Sequence, residues 1–321
     1  MKILITGGAG FIGSNLVKEL LQENKVSKVR VLDNLSTGLI DNIEEFTKNP
    51  KFEFINGDIR DYDICLKSCQ GMDLISHQAA LGSVPRSIND PITTNDVNVG
   101  GTLNIFFAAK ENKIQRIVYA ASSSTYGDSK DLPKTENKIG RPLSPYAITK
   151  FVNELYADVF HKEYNMDFIG LRYFNVFGPK QNPNGPYAAV IPNFIISLLN
   201  EKSPIVNGDG KTSRDFTYIK NVVNANKLAL FTINNKALNE VYNIACGSQT
   251  SLLNILEYLS EYMSSEIGPE FKDQRRGDIK HSLADISKAK ELLGYEPLVS
   301  VKEGLLDTVN WYKDQFLKNK K

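Results

Sequence analysis

The segment Ile3-Leu4-Ile5-Thr6-Gly7-Gly8-Ala9-Gly10-Phe11-Ile12-Gly13 runs from an apolar strand through a glycine turn into a helix. Its glycines follow a G-x-x-G-x-x-G spacing rather than the commoner G-x-G-x-x-G. Both spacings meet the same needs. Gly7 permits the tight turn, Gly10 lets the backbone approach a pyrophosphate, and Gly13 lets the helix pack closely on the strand. The pyrophosphate then lies at the positive end of the helix beginning near Phe11. Asp33 closes the next apolar run, 20 residues after Gly13. A carboxylate there accepts hydrogen bonds from a free ribose hydroxyl and repels a 2′-phosphate, so the spacing predicts a dinucleotide site that takes NAD over NADP.

Outward from this turn, the first half alternates short β-branched runs with helical segments. Lys2–Thr6, Val29–Asp33, Phe52–Asn56, Asp73–His77, Arg116–Ala121 and Met166–Tyr173 read as strands. Most are apolar on both faces, which implies a parallel sheet covered on both sides. Helices are expected at Phe11–Asn24, Asn95–Lys110 and Tyr146–Tyr164. Ile12, Leu16, Val17, Leu20 and Leu21 form the apolar stripe of the first. After Asn175 the texture changes. Asn182-Pro183-Asn184-Gly185-Pro186 is a turn-rich break, and Asn207-Gly208-Asp209-Gly210 predicts a hairpin turn. Helices at Val190–Asn200, Asn221–Thr232, Ser251–Ser264 and Val301–Phe316 then outnumber strands. The expected fold is α/β: a Rossmann-like doubly wound parallel sheet in residues 1–175, with a return near 215–245. A smaller mixed α/β substrate lobe fills residues 176–321.

The 321 residues carry a net charge of +1 with both signs scattered. No basic stripe exists to neutralise nucleic-acid phosphates, so positive charge is expected to be local, facing one anionic ligand. Cys65, Cys69 and Cys246 are an odd number without histidines at metal-ligand spacing, which predicts free thiols, a reducing compartment and no metal site. No apolar stretch is long enough for export or membrane spanning, so a cytoplasmic protein is expected.

Tyr146-Ala147-Ile148-Thr149-Lys150 places a phenol and an amine one helical turn apart on one face. A free tyrosine, with a pKa near ~10, is a poor base at neutral pH. A neighbouring ammonium and a positive nicotinamide ring are expected to lower that value. The strand ending at Ala121 exits into Ser122-Ser123-Ser124-Thr125-Tyr126-Gly127, at the carboxyl edge where open α/β sheets bind ligands. A Ser122 hydroxyl there can share the proton leaving a sugar hydroxyl.

These residues resemble the extended short-chain dehydrogenase/reductase family, in particular its nucleotide-sugar epimerase branch. Further matching stretches are Asp33-Asn34, Gly57-Asp58-Ile59, His77-Gln78-Ala79-Ala80 and Asn98-Val99-Gly100-Gly101-Thr102. Leu171-Arg172-Tyr173-Phe174-Asn175, Ser213-Arg214-Asp215-Phe216 and Arg275–Asp278 continue the series. The resemblance implies a catalytic set of Ser122, Tyr146 and Lys150, with Asp58 and Ile59 at the adenine and Gln78, Ala79 and Ala80 on the nicotinamide side. Asn34, Ser36, Asn98 and Tyr173 complete the implied cofactor set. Asn175, Arg214 and Arg275 would hold a substrate diphosphate, Arg as a planar fork for phosphate oxygens, with Asp278 near the uridine ribose. Gly82, Ser83, Ser123, Ser124, Gln181, Val190, Asn207 and Ser282 complete the implied substrate set. The family's helix-mediated homodimer is expected too, with Phe151, Leu155 and Val159 as apolar contacts.

The resemblance implies a first step in which the tyrosine takes the 4-hydroxyl proton of the sugar as the C4 hydride passes to NAD. A dehydratase of this family would carry an acidic pair after the catalytic hydroxyl. Ser123 and Ser124 stand there, which disfavours water elimination. Ser282 occupies a wall position where common UDP-galactose 4-epimerases carry a tyrosine, and Gly82 one where they carry a lysine; both changes enlarge the site near C2. The run Gly178–Pro192 resembles UDP-N-acetylglucosamine 4-epimerases, and Ser123 and Gln181 could meet an N-acetyl group. Val206 stands near where an aromatic often stacks on uracil. The expected reaction is C4 inversion of a UDP-N-acetylhexosamine. UDP-glucose or UDP-uronic acid epimerisation remains an alternative, as does a nucleotide-sugar dehydratase or reductase.

Overall fold

The computed structural model describes residues 1–183, 188–273 and 280–319. β1 (Lys2–Thr6), β2 (Lys28–Asp33), β3 (Phe52–Asn56), β4 (Leu74–His77), β5 (Arg116–Ser122), β6 (Asp167–Tyr173) and β7 (Glu240–Ile244) form a seven-stranded sheet. Its order is β7-β6-β5-β4-β1-β2-β3, and every pairing is parallel. The chain winds outward from β1 through β2 to β3, then returns to place β4 on the other side of β1. That reversal opens a crevice at the carboxyl ends of β1 and β4, the place where doubly wound sheets bind ligands.

Alternation along β1 explains the two covering layers. Ile3 and Ile5 join one core cluster with Leu16, Val17 and Leu20 of α1 (Phe11–Gln22), and Leu4 joins another. The second cluster holds residues of α2 (Tyr62–Cys69), α5 (Thr102–Glu111) and α6 (Pro145–Tyr164), centred on Phe106. Cys65 and Cys69 are buried there as free thiols, pushed up to about 12 by burial. α8 (Ile219–Phe231) lies beside α1 and contributes Val222, Val223 and Ala229 to the first cluster.

The first cluster continues without a break into the C-terminal elements. α7 (Val190–Leu199), α9 (Leu252–Met263), α10 (Ser287–Leu293) and α11 (Val301–Asn319) supply Phe194, Leu259, Leu293 and Val309. Asp215 ties three segments of this half together. Its carboxylate accepts N–H groups from Cys246, Gly247 and Ala284 at 2.9, 3.0 and 3.2 Å, and burial pushes it up to about 6. Among the described residues no helix is long and apolar enough to cross a membrane.

The structure differs from the sequence reading at three elements. The segment expected as one helix over Asn95–Lys110 is interrupted. α4 (Pro91–Asn95) leads into a π turn at Asp96–Gly101 before α5 begins, and the short α3 (Val84–Asn89) precedes it. Gly101 lies so close to Ile59 that a Cβ would stand 2.5 Å from its side chain, and the wider turn accommodates that approach. The turn at 207–210 does not close a hairpin. Ile205–Asn207 pairs in parallel with Glu270–Lys272, and Ser213–Arg214 pairs with Thr250–Ser251, so each flank finds a distant partner. β7 had no strand pattern because Glu240 and Asn243 break its apolar run. Asn243 is buried yet satisfied, accepting from the Tyr126 hydroxyl and donating to the carbonyls of Lys134 and Asp285. The turn-rich break falls partly outside the described residues, at 184–187.

One buried ion pair fixes α6 to the sheet. Arg172 on β6 donates through Nε and Nη2 to Glu154 at 2.9 and 2.7 Å, and its guanidinium lies 4.9 Å over the Tyr126 ring. Removing one partner strands a buried charge, so Glu154→Ala should cost about 3–5 kcal/mol. Urea denaturation of the variant against the parent measures this.

Candidate active site

The glycine turn after β1 makes backbone-to-backbone contact. Gly7 adopts φ +71°, and a Cβ there would sit 2.7 Å from the main chain of Ala79. A Cβ on Gly13 would lie 2.2 Å from the Gly7 carbonyl oxygen. α1 starts after Gly10 without a side-chain cap and without an acid in its first turn. Its first N–H groups are therefore left to meet an anion. This uncapped, close-packed cradle fits a dinucleotide pyrophosphate.

One cavity runs from that turn along the carboxyl ends of β1, β2, β3 and β4. Gly7, Gly10, Phe11, Ile12, Gly13, Asp33, Asn34, Ser36, Asp58, Ile59, Gln78, Ala79 and Ala80 all line it, as does Gly82. Burial pushes the Asp33 carboxyl up, and the N–H groups it accepts from Leu35 and Ala9 at 2.8 and 2.9 Å oppose that push without cancelling it. Asp58 is more heavily engaged than its expected adenine role suggests. It accepts the N–H, Nε and Nη2 of Arg60 and the Nδ2 of Asn34, and Arg60 holds it down to about 2. Asn98 does not open on the cavity. It is fully buried, donating to Leu81 O and Thr149 Oγ1 and accepting from Leu81 N, and so holds the β4 exit against α6.

Ser122, Tyr146 and Lys150, the residues expected to be catalytic, converge at the end of β5. Ser144 caps α6 by accepting the Ala147 N–H at 3.1 Å, which sets Tyr146 in the first turn and Lys150 in the next. Lys150 Nζ donates to Ala120 O at 2.8 Å, two residues before Ser122. Ser122 Oγ accepts from Ser124 N and Ser124 Oγ, leaving its own proton for the Tyr146 oxygen, with which it is hydrogen-bonded. Burial pushes Lys150 down to about 8. Tyr146 departs from expectation: burial pushes its phenol up, Ser122 opposes that push, and Lys150 does not reverse it. The ammonium is turned to the Ala120 carbonyl, so the protein's own groups do not make the phenolate.

Two buried polar clusters support this edge. Tyr173 donates to Gln78 Oε1 and accepts from Asn226 Nδ2, while Gln78 Nε2 donates to Asn226 Oδ1 and Ser76 Oγ. Neutral His77, pushed to about 3 by burial, bridges the hydroxyls of Thr6 and Thr102 at 2.7 and 2.9 Å. Asn226 carries no sequence signal, because only the docking of α8 over β4 brings it to Ser76 and Gln78.

The expected substrate residues form a looser group. Asn175, at φ +33°, donates to Asp215 O at 3.2 Å. Arg214 is half-buried and donates to Ser213 O and Lys280 O, and the Ser282 N–H also donates to Ser213 O at 3.1 Å. Asn175, Arg214 and Ser282 are thus held around Ser213–Asp215. Ser123 and Ser124 occupy the 3₁₀ turn after Ser122. Ser83 caps α3, Val190 opens α7, and Asn207 ends its short strand opposite Lys272. Gln181 turns inward, donating to Val176 O with Oε1 sealed from solvent, so in this conformation its amide does not face a sugar. Val206 is fully buried in the core and has no face for uracil. Arg275 and Asp278 lie outside the described residues.

The family model described as "NAD dependent epimerase/dehydratase family" matches residues 3–245. The chain belongs to this family. Its fold superposes on a solved UDP-N-acetylglucosamine 4-epimerase from Methanobrevibacter ruminantium, in complex with UDP-N-acetylmuramic acid, with TM-score 0.91, 40% identity and 98% of each chain covered. A UDP-glucuronic acid 4-epimerase from Bacillus cereus, solved with UDP-glucuronic acid and NAD, gives TM-score 0.90 and 34% identity over 98% of this chain and 100% of that one. The UDP-glucose 4-epimerase of Mycolicibacterium smegmatis is 34% identical over 317 residues, 98% of this chain and 99% of its own. The protein is accordingly an NAD-dependent enzyme of the epimerase type.

Three variants test the site. Gly13→Ala forces a methyl onto the Gly7 carbonyl and should abolish NAD retention, read by cofactor released on denaturation. Tyr146→Phe should lower kcat by about 10²–10⁴-fold while NAD still binds. Because the Lys150 ammonium is spent on the Ala120 carbonyl and does not lower the phenol's pKa, Lys150→Met should leave the acid limb of the kcat–pH profile in place.

Proposed function

We propose that this protein is a UDP-N-acetylglucosamine 4-epimerase, interconverting that sugar nucleotide with UDP-N-acetylgalactosamine through a transient 4-keto sugar. In this reading NAD, bound in the cavity, supplies the hydride acceptor and later donor at C4. Tyr146 takes the 4-hydroxyl proton, Ser122 shares it, and Lys150 holds positive charge beside them. The ketose turns over about its diphosphate, and Tyr146 returns the proton after hydride reaches the other face. The observation that carries the reading is the Ser122–Tyr146–Lys150 cluster at the end of β5, two strands from the glycine turn of β1 in the sheet, followed by Ser123 and Ser124 rather than acids. Nothing more is needed for inversion, whereas dehydration needs a carboxylic acid and base.

The N-acetyl preference is supported by the small, half-buried Ser282 and by Gly82, which carries no side chain into the cavity. It is supported further by the 40% identity to the M. ruminantium enzyme. The names of the other relatives support the rival, inversion of UDP-glucose or UDP-glucuronate. In this reading residues 1–175, with the return near 215–245, hold the cofactor and residues 176–321 the UDP-sugar. Incubation with each UDP-hexose followed by nucleotide-sugar chromatography separates the two. The proposal expects N-acetylated substrates to be converted fastest; faster turnover of UDP-glucose or UDP-glucuronate would select the rival.

The same reading includes a homodimer. Phe107 on α5 and Ile148, Leu155 and Val159 on α6 are exposed apolar residues, and Ile88 on α3 is more exposed still. Covering such a stripe by a second copy removes apolar surface from water. Light scattering should give a dimer for the parent and a monomer for Leu155→Glu/Val159→Glu.

A further inference from the structure

The cavity has a side that the motifs do not account for. After β6 the chain runs through Val176–Phe177 to Gly178, Pro179, Lys180, Gln181 and Asn182, and Lys180 and Asn182 line the same cavity as the glycine turn. Lys180 holds φ +69°, a conformation a residue with a β-carbon keeps only when its surroundings hold it. Its Nζ donates to Asn42 O at 2.8 Å and to Glu45 Oε1 at 2.9 Å, and lies 5.1 Å from the Phe46 ring centre. Asn42 in turn donates its Nδ2 to Ala9 O, inside the glycine turn itself. Pro179 O accepts from Asn15 Nδ2 of α1 at 3.1 Å, and the Tyr312 hydroxyl of α11 donates to Gln181 O.

We infer that residues 179–182 form a strap across the cofactor cavity, closed by the clasp of Lys180 on Asn42 and Glu45, which sets how slowly NAD leaves. The strap spans from α11 and α1 to the 3₁₀ turns at Ile40–Asn42 and Glu44–Phe46, which flank the adenosine end. A dinucleotide seated on the glycine turn cannot leave past this side while the clasp holds. A redox-neutral reaction returns its cofactor to the starting state in every cycle, so slow release carries no kinetic penalty and keeps the ketose from being stranded. The inference rests on the reading that this cavity holds NAD.

The test loads the purified full-length enzyme with radiolabelled NAD and follows its loss into excess unlabelled NAD. Retention of label by the parent checks the cavity reading independently. Lys180→Ala should release label about tenfold faster, since it loses a hydrogen bond, an ion pair and a ring contact. Glu45 is half-exposed and does not line the cavity, so Glu45→Ala probes the clasp alone and should speed release by about two- to fivefold. Lys180→Glu/Glu45→Lys should release label more slowly than either single charge reversal, and Lys180→Arg should stay near the parent. Faster release from Lys180→Ala with Glu45→Ala unchanged would overturn the strap, because Lys180 would then act only by touching NAD. Unchanged release in both variants would overturn it as well.

Discussion

The turn after β1 packs main chain against main chain, with no room for a methyl between Gly7 and Ala79 or between Gly13 and the Gly7 carbonyl. That closeness brings the exit of β4 beside the exit of β1 and sets the uncapped start of α1 over the crevice between them. Gln78 and Ala79 reach the cavity because Gly7 beside them has no side chain. The same turn gives Ala9 O to the Leu39 N–H and the Asn42 amide, so the flank of the cavity at Leu39 and Asn42 is built onto the glycine backbone.

The proposed chemistry sits where α6 meets the end of β5, and there burial and orientation work against each other. Lys150 is nearly fully buried, which weakens its hold on a proton, and its ammonium is pinned to a β5 carbonyl. Tyr146 is likewise pushed toward its neutral form, with only the Ser122 hydroxyl pulling the other way. In the proposed reaction the positive cofactor ring would favour the phenolate, which would tie proton removal to hydride transfer. The rigidity that this demands comes from behind the site. Glu154, one helical turn beyond Lys150, is clamped by Arg172, which is itself braced by Tyr126 and the Glu136 carbonyl.

The parallel sheet was legible because β1, β2, β4 and β5 are runs of apolar residues bounded by turns, and α1 carries a clear stripe. The glycine spacing and Asp33 marked the cavity for the same reason: the contact needs those residue types at those distances. Features that depend on distant partners were not legible. Glu240 and Asn243 hid β7, since Asn243 is acceptable in a core only when Tyr126, Lys134 and Asp285 surround it. The π turn depends on how Gly101 meets Ile59. Asn98 reads as a polar contact for a ligand, yet the fold spends its amide on Leu81 and Thr149. Lys180 and Asn226 look like ordinary surface polar residues until the chain returns them to the cavity and to Gln78.

The central claim is that one hydrogen leaves C4 with its electron pair and comes back to the same carbon from the other side. The most direct test uses UDP-N-acetylglucosamine deuterated at C4 and follows the product by mass spectrometry while watching absorbance of reduced cofactor. The account predicts a 4-epimer that keeps its deuterium, with no net cofactor reduced. Exchange of that deuterium with solvent, or reduced cofactor accumulating in step with product, would contradict it.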